Sequence, residues 1–189
     1  MQLESGNSAS IITHKGITPE LHPSVFTAHG VVIVGDVEIG EDSSVWFNSV
    51  IRGDVNYIRI GKRTNIQDMC MLHVTNNVWS LNIGDNVSVA HSVTLHGCTI
   101  HDYALIGIGA RVLDGAIVNS DTIVAAGAVV LEGREIPPGT LAAGVPAKVI
   151  RELTDDEINR VRSTPNNYIN YASVYKKEFE KHIKKQRKI

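Results

Sequence analysis

Three of the eight histidines, His73, His91 and His96, lie close enough in sequence to work together. Neutral imidazoles are ligands for zinc and other transition metals, and three of them leave the fourth position of a tetrahedral ion open for a small molecule. Ahead of them stand Arg52-Gly53-Asp54, where a carboxylate can pair with and orient a guanidinium, and Gln67, whose amide both donates and accepts. The other five histidines, His14, His22, His29, His101 and His182, read as surface or packing residues. An H-x4-H spacing alone does not separate ligands from exposed histidines, so the elements that position them must be found.

Aliphatic residues recur every six positions. They are Ile33, Ile39, Val45, Ile51, then Ile60, Ile66, Leu72, then Ile83, Val89, Leu95, then Ile100, Ile106, Val112, Val118, Val124 and Val130, sixteen hexads in all. Four positions after each comes a small or β-branched residue, from Val37 and Ser43 through Val55, Cys70 and Thr99 to Ala128, except at Asn76 and Arg134. Glycine often follows the first position, as at Gly40, Gly61, Gly84 and Gly107. A period of six fits neither a helix nor a plain alternating strand; it fits a short strand and a corner. It resembles the hexapeptide repeat of left-handed parallel β-helices, in which three hexads make one triangular coil. The left hand comes from that resemblance, since parallel crossovers are otherwise right-handed.

The expected architecture is an all-β core, a left-handed parallel β-helix of rather more than five coils, with a C-terminal α-helix. Residues 1–20 read as an N-terminal extension, 21–150 as the β-helix and 151–189 as a C-terminal helical segment. The repeat slips three times: nine residues separate Ile51 from Ile60, eleven separate Leu72 from Ile83, and five separate Leu95 from Ile100. Loops at breaks in a rigid scaffold are where function gathers. The repeat ends at Gly144-Val-Pro-Ala-Lys148, Thr154-Asp-Asp-Glu157 forms a capping box, and Pro165 is expected to break or restart the helix. Tyr168, Ala172, Tyr175, Phe179 and Ile183 lie near helical spacing, as for a second helix packed on the coil exterior.

Register gives the histidines meaning. His73 and His96 each follow an inward aliphatic, Leu72 and Leu95, three hexads apart, so their imidazoles should stack on adjacent coils of one face. Arg52 follows Ile51 and joins that column. His91 falls on a different face, which Gln67 shares, and should not reach the same ion within its own chain. A symmetric oligomer would let His91 of a neighbour complete the pair, and a homotrimer is the natural assembly.

Composition excludes other partners. With 18 basic and 20 acidic residues the chain has no global field for nucleic acid or an anionic membrane. Residues 176–189 hold seven basic and two acidic residues, read as a solvated helix end that suits the helix dipole. Cys70 and Cys98 form no C-x-x-C pair, and no signal segment or membrane-length apolar run is present, so a reducing cytoplasm is expected.

Arg52-Gly53-Asp54, Gln67, His73 and His91-x4-His96 on hexapeptide repeats, followed by Gly144-Val-Pro-Ala-Lys148 and a C-terminal helix, resemble the γ class of carbonic anhydrases over roughly residues 20–185. The resemblance implies that His73, His91 and His96 bind zinc, with iron or cobalt as alternatives, across a homotrimer interface. It implies that Arg52 and Asp54 support interface and site, that Gln67 positions water or bicarbonate, and that Tyr168 lines the site. The implied activity is reversible hydration of CO2 to bicarbonate by a metal-bound hydroxide. Val74–Ser80 lacks the carboxylate that shuttles protons in the prototype branch, so this chain resembles the shorter-loop branch, with proton release as the expected bottleneck. The alternatives are a hexapeptide-repeat acyltransferase using one histidine as base, a metal-assisted thioesterase, and a non-catalytic metal-binding trimer.

Overall fold

The computed structural model describes residues 9–186 and is a left-handed parallel β-helix flanked by one long helix. Three faces form a triangular prism. The first carries the start of Val32–Ile39, the start of Val50–Ile60, then Met71–His73, Thr94–His96, Arg111–Val112 and Val129–Val130. The second carries Glu20–Leu21, the ends of the same two long strands, then Leu81–Ile83, Thr99–Ile100, Ile117–Val118 and Glu135–Ile136. The third runs from Phe26–Thr27 through Ser44–Val45, Asn65–Ile66, Ser88–Val89, Leu105–Ile106 and Ile123–Val124 to Thr140–Ala143. That last face has seven parallel rungs, more than the sixteen hexads foretold, because coils without the full hexad pattern extend it at both ends.

All sixteen repeat aliphatics are buried. The second inward position differs from expectation at the slips. Val55 and Thr99 are only half-buried, and their places in the core are taken by Ile58 and Cys98. Counted backwards from each aliphatic, the partner two residues earlier is buried in every coil, from Val31 before Ile33 to Ala128 before Val130. The reason is the pleat: two residues on one strand share a face with one outward residue between them, so extra or missing residues fall at the corner preceding the pair. Buried hydroxyls on these inward positions serve the backbone of the next coil. Ser49 Oγ donates to the Gln67 carbonyl at 2.6 Å and accepts from the Cys70 amide at 3.0 Å, which removes the penalty of an unpaired polar group in an apolar core.

Strand pairing already begins inside the segment expected as an extension, with Ser10–Ile12 parallel to Val32–Ile39. At the other end Lys148–Glu152 folds back antiparallel on Thr140–Ala143 and terminates the parallel stack. The helix then runs unbroken from Asp155 to Gln186. Pro165 does not interrupt it, contrary to the sequence reading. Pro165 is buried, so tertiary packing holds the turn that the missing amide weakens, while the hydroxyls of Ser163 and Thr164 turn back onto the Arg160 carbonyl at 3.0 and 2.7 Å.

The capping box forms as expected: Glu157 accepts from the Thr154 amide at 2.9 Å. Ala172 is buried, and Tyr168, Tyr175 and Phe179 gather around Trp46 and Phe26 at ring separations of 5.3 to 6.2 Å. The side chain of Ile183 lies outside the described residues. Arg162 grips Asp121 through two bonds of 2.8 and 3.0 Å and further fixes the helix to the third face. Among the described residues no helix is long and apolar enough to cross a membrane.

Candidate metal centre

His73 and His96 are register partners on neighbouring coils of the first face, with ring centroids 5.1 Å apart. Each has its outer nitrogen held by a carboxylate. His73 Nε2 lies 3.1 Å from Asp54 Oδ1, and His96 Nδ1 lies 2.6 Å from Asp114 Oδ1. Ionised carboxylates only accept, so both of those nitrogens carry the hydrogen. The remaining nitrogens, His73 Nδ1 and His96 Nε2, then turn their lone pairs toward each other at 3.1 Å. Two lone pairs at that distance repel unless a cation sits against both. Two nitrogens on one tetrahedral ion, each about 2.0–2.1 Å from it, would stand roughly 3.3 Å apart. The residues present therefore fit a divalent ion.

Arg52 closes the column. Its Nη1 reaches Asp54 Oδ2 at 2.5 Å while Oδ1 holds His73, so Asp54 bridges the two. Burial works against the Asp54 charge, but the hydrogen bonds from Arg52 and His73 outweigh it and keep the carboxyl below its usual range. Burial also disfavours protonation of His73 more than the Asp54 hydrogen bond favours it, which leaves the imidazole in the neutral form a ligand needs.

The second column lies elsewhere on the chain. His91 sits in the turn between the third and first faces, beside Ser92 in the left-handed region at φ 60°. Asp68 is its register partner on the neighbouring coil, and Asp68 Oδ2 meets His91 Nδ1 at 2.7 Å. The side chain of His91 is 46% exposed against 18% for His73. Gln67 shares this side but aligns one residue earlier, where its amide is fixed by a 3.0 Å bond from Nε2 to Asn65 Oδ1. Tyr168 reaches the same side from the helix. Burial pushes its hydroxyl up to about 12, with the nearby Asp68 charge adding to the shift.

One chain thus carries two separate groups of side chains: Arg52, Asp54, His73 and His96 in one, Gln67, His91 and Tyr168 in the other. Among the described residues, no three His, Cys, Asp or Glu side chains gather into a metal-binding group within the chain. Sequence reasoning missed the carboxylates on His91 and His96. Asp68 was accessible to register counting, since it stands two past Ile66 as His91 stands two past Val89. Asp114 was not, because it aligns with Gly97 and reaches His96 one position out of register.

No protein-family profile matches the chain. It is 50% identical over 166 residues to a carbonic anhydrase of Geobacillus kaustophilus, covering 88% of this chain and 91% of that protein. It is 50% identical over 146 residues to a probable carbonic anhydrase of Methanocaldococcus jannaschii, with 77% and 91% covered. Identity to the mitochondrial gamma carbonic anhydrase 2 of Arabidopsis thaliana is 43% over 169 residues, 87% of this chain and 61% of that one. The chain spans about three fifths of the length of these plant relatives.

A solved Bacillus cereus structure described as a putative acetyltransferase is 44% identical, with a TM-score of 0.88 over 90% of this chain and 99% of that one. A hexapeptide transferase family protein of Anaplasma phagocytophilum is 36% identical, with a TM-score of 0.85 over 88% and 98%. Half of the aligned residues are shared with carbonic anhydrases over most of both chains, on a hexapeptide β-helix that brings two histidines together, and the chain therefore belongs to the γ-carbonic anhydrase family.

Proposed function

We propose that the protein is a metal-dependent carbonic anhydrase, interconverting CO2 and bicarbonate at sites shared between the subunits of a homotrimer. The observation that carries this reading is the 3.1 Å pair of His73 Nδ1 and His96 Nε2, with His91 in a separate turn beside Asp68. Those two nitrogens and Nε2 of the partner subunit's His91 would hold the ion, with zinc, iron or cobalt all suited to imidazole. When bound, a divalent ion supplies Lewis acidity that lowers the pKa of water at its open position to about 7, a value for which carbonic anhydrases are themselves the reference.

The chain's own residues supply orientation and charge. Asp54 and Asp114 hold the outer N–H groups of the two histidines and so keep their lone pairs directed at the ion. Arg52 neutralises Asp54 and, 42% exposed, reaches the subunit boundary, where its guanidinium suits bicarbonate. Gln67, oriented by Asn65, presents its amide to the small-molecule substrate. Tyr168 stays protonated at neutral pH and acts as a donor, not a base. A proton must leave in each turnover, and no carboxylate stands in Val74–Ser80 to take it, so buffer serves as acceptor. Cys70 and Cys98 are buried free thiols whose pKa values burial raises, Cys70 to about 12. Buried and protonated, they take no part in the chemistry.

Stopped-flow CO2 hydration on anaerobically purified protein of known metal content tests this, beside His91→Ala. The expected result is metal-dependent hydration that the variant loses together with its metal. A fully loaded but inactive protein would point to a thioesterase or a non-catalytic metal-binding trimer. The Bacillus cereus neighbour's description favours an acyltransferase as second reading, and protein that binds no metal even on reconstitution would favour it.

A further inference from the structure

We propose that Asp114, with Thr75, is a positioning clamp of the metal centre, an inference that rests on the metal-site reading above. Asp114 uses both carboxylate oxygens. Oδ1 accepts from His96 Nδ1 at 2.6 Å, and Oδ2 accepts from Thr75 Oγ1 at 2.6 Å. Thr75 opens the excursion that follows His73, and a backbone bridge ties it to Trp79 at the other end, with the Thr75 amide donating to the Trp79 carbonyl at 2.9 Å. One carboxylate therefore links the third histidine to the loop that leaves the first.

The surroundings show that the clamp is built tightly. Gly97, directly after His96, stands at φ 53°, and a Cβ there would come within 2.4 Å of Asp114 Oδ1 and 2.6 Å of Trp79 Cβ. Gly115, directly after Asp114, stands at φ 66° with the Trp79 ring 3.0 Å from where its Cβ would be. Two glycines are thus needed for the loop to close over the carboxylate. Asp114 acts through His96: by taking its Nδ1 hydrogen it selects Nε2 as the nitrogen presented to the ion, and Thr75 keeps the carboxylate from rotating away. Asp54 does the same for His73 from the opposite side, through Nε2, so the two histidines present different ring nitrogens.

The test is titration of the metal-free protein with cobalt(II) and zinc(II), reading affinity by chelator competition and geometry by the visible cobalt spectrum. Asp114→Asn is expected to weaken both ions about 10–100-fold and to alter the cobalt bands, because the amide can no longer accept from both partners. Thr75→Val keeps size and removes one donor, so it should weaken binding by a smaller factor and lower metal-free stability only by the loss of one hydrogen bond. A purely structural role would lower the unfolding midpoint and move neither affinity nor spectrum. Binding within about two-fold of wild type in both variants, with an unchanged spectrum, would overturn the clamp. These titrations read the ion and not the reaction, so an inactive wild type that binds cobalt tightly would count against the carbonic anhydrase reading alone.

Discussion

Two corners of the same prism are built on opposite plans. Where the second face meets the third, Asp42, Arg63, Asn86, Tyr103 and Asp121 all take the left-handed conformation, one above another, and Gly139 follows them. The polar groups there serve the scaffold itself. Asp85 Oδ1 accepts from the Lys62 amide at 2.7 Å and Asp102 Oδ1 from the Asp85 amide at 2.8 Å, each coil fastening its neighbour. Where the first face meets the second, no two successive turns at the top are alike. Gly35, the Asp54–Tyr57 bend, the Thr75–Trp79 excursion and the shortened turn at Gly97 succeed one another, and all three slips of the repeat fall here. At this corner Asp54, Thr75 and Asp114 turn to side chains instead of backbone, and the two paired histidines end the strands that lead into it. Regular turns stabilise the coil, and departures from regularity free side chains for chemistry.

That contrast can be broken by matched substitutions. The largest effect is expected for His73→Ala or His96→Ala, which should weaken zinc by more than the ~100-fold seen when partners of ligands are removed. Asn86→Gly, at the regular corner, should leave zinc binding as it is, by the same titration. Next comes a pair of glycines. Gly97→Ala must displace Asp114 and Trp79 as well as strain the backbone, a loss of about 3–4 kcal/mol in chemical unfolding. Gly127→Ala meets nothing within 4 Å and should lose only the left-handed strain, about 1–2 kcal/mol.

Asp54→Asn should weaken zinc about 10–100-fold, since it loosens His73 without removing a ligand. Smaller still, Asn76→Glu places a carboxylate on an exposed residue lining the same cavity of about 350 Å3 as Asp54. It should raise turnover roughly several-fold in dilute buffer and little in concentrated buffer; unchanged rates in both would remove proton release as the bottleneck.

The smallest effect is far from either corner. The Glu157 carboxylate is held to about 2 by its hydrogen bonds to Arg151 and the Thr154 amide. Its folded pKa lies below the unfolded 4.5, so its contribution is complete above that value and disappears as pH falls toward 2. Glu157→Gln should therefore lower the denaturant midpoint slightly at pH 7 and match wild type near pH 2, the exposure of the group keeping the difference small.

Much of this was legible before any coordinates. Six-residue periodicity names the inward residues, and a return after three hexads is a local property of the coil, so His73 above His96 follows from counting. The displacement of His91 follows as well, although it proves to sit in a corner turn and not on a flat face. What stayed hidden depends on long-range placement. Asp114 reaches His96 from the next coil but stands opposite Gly97 in the register, one position away, so a count that pairs like positions does not align them. Pro165 carries a strong local signal to stop a helix, and packing of that turn overrides it. Ile58 and Cys98 were passed over for Val55 and Thr99 because the small inward residue belongs to the strand after it, a rule that only the slips expose.

The central claim is that each site joins one subunit's His73 and His96 to the next subunit's His91. Co-expressing His91→Ala with His96→Ala under separate tags, purifying the mixed assemblies and measuring zinc content and CO2 hydration tests it directly. Neither variant alone should hold metal, while each purified mixed trimer should regain one of its three sites, about a third of the total, where intact halves meet across a boundary. Mixed assemblies as empty and inactive as the parents, or full metal loading in His91→Ala alone, would contradict the shared site.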